Sequence, residues 1–133
     1  MGAWDAGSFD NDTACDWAGG LENTTDLSMV LEALAQVLDD APDYVEADAG
    51  SNAIAACEVI ARLKGNWGTK NAYTESVDKW VLTHPQKVPP DLAARAGQAL
   101  DRILAPQSEL EELWEQNPEW IAAVVDLRKR VSS

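Results

Sequence analysis

From Ala53 to Leu63 the chain reads Ala-Ile-Ala-Ala-Cys-Glu-Val-Ile-Ala-Arg-Leu, and a helix of this composition is apolar on nearly every side. Such a helix has no wet face to turn to solvent, so other elements of the chain must surround it. The stretch therefore dictates a domain built around a central helix, expected over about residues 51–64 with Ser51 as its cap.

The flanking segments have the pattern needed to cover it. Leu27, Val30, Leu31, Leu34, Val37 and Leu38 recur at steps of three and four residues, and so do Leu92, Ala96, Ala99, Leu100, Ile103 and Leu104. Tyr73, Val77, Trp80 and Val81 form a shorter stripe, and Trp120, Ile121, Val124, Leu127 and Val131 form a last one. Helix starts are signalled by Thr24-Thr25-Asp26, Thr74-Glu75, Pro89-Pro90-Asp91, the capping box Ser108-Glu109-Leu110-Glu111 and Asn117-Pro118. Glycines bound a loop over residues 64–71, with Trp67 within it. No run alternates with the period of a strand and no segment repeats. The expected fold is all-α, a single domain over residues 1–133 of six or seven helices. The six tryptophans fall mostly at helical core spacing, which accounts for them without a stacked ligand.

The opening stretch, Gly2 to Trp17, is different in kind. Trp4 and Phe9 sit among glycines and aspartates with too little apolar material to bury themselves, so Trp4, Phe9 and Trp17 are expected to anchor this loop in the helical core. The Asp-Asn-Asp run at 10–12 offers side-chain oxygens to the start of a short helix over about residues 12–18. Asp10, Asp12 and Asp16 could alternatively ligate a hard cation, although the run lacks the glycine and later glutamate of a calcium loop.

The run Gly2-Ala3-Trp4, Gly7, Phe9-Asp10-Asn11-Asp12, Ala14 and Asp16-Trp17 resembles the opening of the bacterial domain-of-unknown-function family numbered 4259. The likeness extends through Tyr44-Val45-Glu46-Ala47, Ala55 to Ala61 and Ser108 to Trp114, and so spans nearly the whole chain. Asp5 stands where that family usually has glycine. The resemblance implies a fold and a bacterial source, and it implies no activity.

Charge separates the two halves. The net charge is −13, and the first 61 residues carry all of it: they hold thirteen Asp and Glu and no Lys or Arg, whereas the remainder balances ten acids against ten bases. Such a surface disfavours nucleic acid and anionic membranes and favours a basic protein partner. Asp39 and Asp40 crowd the carboxyl end of a helix, where the dipole prefers cations, and with Asp43 they form the expected contact patch.

Glu58, inside the apolar helix, must be paired, hydrogen-bonded or protonated. Arg62, one turn later, is the expected partner, with Glu46 grouped beside Glu58 as a buried polar residue. Glu46 and Glu58 converging on a metal, or acting as an acid/base pair, is the alternative. His84, the single histidine, precedes a proline with no visible catalytic partner. Cys15 and Cys57 lack metal-ligand spacing and are expected to be reduced.

There is no phosphate loop, no His/Cys cluster and no Ser/His/Asp set. The reading is therefore a non-enzymatic, cofactor-free acidic protein that captures a basic partner, as an antitoxin or immunity protein would. A metal-dependent Asp/Glu enzyme and an oligomeric scaffold are the alternatives. No apolar stretch has membrane-spanning length and no leader-like opening is present, so a cytoplasmic location is expected.

Overall fold

The computed structural model describes residues 7–9, 11–40 and 43–133. Among these, seven helices follow in order: α1 (Asp12–Leu21), α2 (Ser28–Leu38), α3 (Ala47–Leu63), α4 (Glu75–Thr83), α5 (Pro90–Leu104), α6 (Glu109–Trp114) and α7 (Pro118–Ser132). An isolated parallel bridge pairs Val45 with Ser108. The protein is all-α. Trp4, expected to anchor the opening loop, and Asp10, weighed as a cation ligand, lie outside the described residues.

Helix α3 packs against all six of the others, and every residue from Ala53 to Arg62 along it is buried. Its alanines and Gly50 keep the helix thin, so its neighbours approach its backbone closely. A Cβ placed on Gly50 would lie 2.7 Å from Leu110 Cδ1, so Leu110 packs directly over the glycine and would have to shift for a larger residue. Helix α5 joins α2 to α7 on one side of α3, while α4 leans on α1 and α3. Phe9, Leu34, Ile60, Leu100, Ile103 and Leu127 are among the large side chains buried at the junctions.

Several helix starts differ from expectation for tertiary reasons. Helix α3 begins at Ala47, four residues ahead of the expected Ser51, which is buried inside it. Its first turn is capped from a distance: Glu109 Oε1 accepts from Ala47 N at 2.8 Å. The Val45–Ser108 bridge sets that alignment, with Val45 N donating to Gln107 O and Glu109 N to Val45 O. Glu109 is thus drawn to another helix, and Ser108 makes no side-chain cap of its own. The expected capping box does not form.

Elsewhere local chemistry sets the boundaries. Asn11 Oδ1 accepts from Ala14 N, and Asn117 Oδ1 accepts from Glu119 N and Trp120 N, with Pro118 in the first turn of α7. Asp26 receives the Ser28 backbone and hydroxyl, so α2 opens just beyond it. Tyr73 departs from its stripe and stands exposed, because helix α4 begins only at Glu75. Trp80 is buried on that helix, and its indole N–H donates to Thr24 O at 2.8 Å, tying α4 to the α1–α2 turn.

Candidate functional site

The most concentrated chemistry lies where the end of α3 meets the opening loop and α7. Glu58 and Arg62 stand one turn apart on α3 and form a buried ion pair, with side chains 7% and 1% exposed. Arg130, reaching in from α7, adds a two-pronged contact, with Nη1 and Nη2 each 2.9 Å from a Glu58 oxygen. Ser8 Oγ donates to Glu58 Oε2 at 2.7 Å. Arg62 in turn donates to Asp78 Oδ1 on α4 and to Thr69 O, both through short contacts of 2.7 and 2.6 Å. Asp78 also accepts from Thr74 Oγ1, and Asp126 braces Arg130 from one turn back. A cleft of about 610 Å³ opens beside this cluster.

Burial by itself would raise the Glu58 carboxyl, and it is the largest single influence. The hydrogen bonds from Arg130, the charges of Arg62 and Arg130 and the Ser8 hydroxyl together outweigh it, so the group sits below its ordinary value and stays ionised. Arg130 is held correspondingly more firmly protonated by its bonds to Glu58. A carboxylate that already accepts from three side chains has little basicity left to take a substrate proton, and carries none to give. The cluster's chemistry is that of a clamp: it fastens the opening loop, α3, α4 and α7 together.

Glu46, expected to be buried beside Glu58, is exposed at the start of α3. The two stand twelve positions apart along α3, which places them about 18 Å from one another along the axis at the usual helical rise. They cannot share a metal ion or a proton. Phe9 is buried, and its carbonyl accepts from Cys15 Sγ, while Trp17 is half-buried against the core. Asp12 and Asp16 both face solvent on α1. Cys57 is a free, buried thiol; burial pushes it up, the nearby Glu58 charge adds to this, and it remains protonated.

The Glu58–Arg62 pair is legible in the sequence from its spacing, whereas Arg130, Asp78 and Ser8 are not. Within its own segment Arg130 reads, with Arg128 and Lys129, as a counterweight to the α7 dipole. Its position three residues after the inward Leu127 is the signal that could have found it, since that places it beside the buried stripe.

Among the described residues the acids and bases are disposed differently. Every described Asp and Glu between residues 11 and 57 is exposed. By contrast Arg62, Arg95, Arg128 and Arg130 are each held by carboxylates, and Lys70 lies over the Trp67 ring at 4.3 Å. Of the expected contact patch, Asp40 and Asp43 are exposed, and Asp39 is exposed but paired with Arg95 at 2.9 Å. Among the described residues no helix is long and apolar enough to cross a membrane.

A family model described as Domain of unknown function (DUF4259) matches residues 2–124. Comparison with curated proteins and with solved structures returned no match.

Proposed function

The chain belongs to that family of unknown function, and from this premise we propose that it is a non-catalytic acidic module that captures a basic protein partner. The observation that carries the reading is the unequal disposal of charge. Arg62, Arg95, Arg128 and Arg130 are engaged by carboxylates of the chain itself, while the described acids of the first half, Glu58 excepted, face solvent. The negative field of the α1–α2 half comes from its exposed acids, which lie in a stretch of sequence without Lys or Arg and of which Asp39 is met by Arg95. Among the described residues, the one buried carboxylate that could have served chemistry is saturated by Arg62, Arg130 and Ser8.

Such a field accelerates encounter more than it tightens the final complex. Asp40 and Asp43, with Asp39 shared with Arg95, form one landing point of this face. The direct test uses basic proteins encoded by neighbouring genes, measured by stopped-flow association. Capture should be fast at low salt, should slow steeply as salt is added, and should slow again when Asp39, Asp40 and Asp43 are changed together to lysine. Association that ignores both salt and charge reversal would exclude electrostatic capture.

A further inference from the structure

On the acidic half of the molecule, a concavity of about 200 Å³ lies where α1, α2 and α3 meet, walled by Trp17, Met29, Glu32, Ala33, Gln36 and Asn52. Its size decides what class of occupant fits. Sites for free small molecules span roughly 300–1,000 Å³, so this one has room for the end of a single long side chain and little more.

Its walls select the chemistry. Trp17 is half-buried and offers part of an indole, Met29 adds a polarisable thioether, and the Glu32 carboxylate is exposed. Asn52 contributes a side-chain amide whose Oδ1 is buried and has no hydrogen-bond partner. As it stands that oxygen faces protein, and a turn of the soft terminal amide torsion would present it to an incoming N–H. An indole, a carboxylate and two side-chain amides in one wall together match a guanidinium, which stacks on aromatics and donates in a planar fork. An ammonium would pair with Glu32 but would stack less well and present no fork.

We infer that this concavity is the socket for an arginine side chain of the basic partner. The inference rests on the capture reading above, and places the grip between α1 and α2 rather than at Asp39, Asp40 and Asp43. The exposed acids of α1 and α2 supply long-range attraction, and the socket supplies the side-chain selectivity that a diffuse field lacks.

The test is a nuclear magnetic resonance titration of the isotope-labelled full chain with a synthetic peptide alternating arginine and glycine, and with its lysine counterpart. The Trp17 indole N–H and the Asn52 side-chain amide should shift saturably, with the arginine peptide bound at least about threefold more tightly. Glu32→Gln, an exposed change that leaves the melting transition in place, should weaken the arginine peptide by about fivefold. Gln36→Lys, which sets the chain's own ammonium in the socket, should abolish the Trp17 response.

Equal affinity for the two peptides, or an undiminished response in Gln36→Lys, would overturn the socket. Shifts confined to Asp40 and Asp43 would overturn it while sparing acidic capture. Silence throughout the chain with both peptides would remove both readings.

Discussion

Removing the Glu58 carboxylate would leave two guanidiniums facing one another in a largely dry site, and that single change should be the most damaging in the molecule's charged inventory. Losing one partner of a buried ionic cluster costs about 3–5 kcal/mol, so Glu58→Ala should lower the urea unfolding free energy by that order. Arg130→Ala should cost less, because Glu58 keeps Arg62 and Ser8. Near-equal stability of Glu58→Ala and wild type would show that the clamp contributes nothing net.

The same carboxyl sets an acid limb. Its folded value lies below its unfolded one, so its contribution is fully present above the ordinary carboxylate range and is lost as pH falls through the folded value. Stability of the wild type should therefore fall on acidification more steeply than that of Glu58→Gln, a difference that urea melts at successive pH values would detect. At the surface, the Tyr44 hydroxyl is pushed up to about 12, chiefly by its hydrogen bond to Glu112 at 2.8 Å. Tyrosine absorbance in alkali should show that group ionising later than Tyr44 in a Glu112→Gln variant.

At the scale of elements, the start of α3 depends on a residue sixty-two positions away, since Glu109 caps Ala47. Loss of a helix cap costs about 1 kcal/mol. Glu109→Ala should destabilise by that amount and should speed amide exchange in the first turn of α3, leaving the later turns protected. Unchanged exchange at Ala47 would mean the contact does not cap.

Gly50→Ala tests the same junction by volume. A methyl group would press on the end of Leu110, and overpacking of about 1–3 kcal/mol is partly offset by the roughly 0.5–1 kcal/mol that alanine gains over glycine within a helix, so a small net loss in urea melts is expected. The stripes on α2, α5 and α7 were legible in the sequence because amphipathic period is a local property, although Leu31 of the α2 stripe turns to solvent, and Asn117-Pro118 started α7 as expected. The capping box at Ser108 was not realised. Glu109 met a partner the local sequence cannot show, the start of α3, and Ser108 made its backbone bridge to Val45 with no side-chain cap bond.

For the whole molecule, a net charge of −13 on 133 residues sets up repulsion within the folded state. Added salt shortens the screening length from about 30 Å at 0.01 M to about 8 Å at 0.15 M, so the melting temperature should rise over that interval. A fall would mean that attractive pairs such as Arg95–Asp39 and Arg128–Asp101 dominate the surface, which exposed pairs rarely do.

The sequence alone determined that this chain is helical, that an apolar stretch ending near Leu63 must be enclosed, and that negative charge collects before Arg62. All three follow from spacing and composition, which act within a turn or along one segment. Only the tertiary structure decided where the charges went: Arg130 to Glu58, Arg62 onward to Asp78, and Glu46 out to solvent. Those outcomes depend on distances between helices remote in sequence, and the packing around α3 sets those distances.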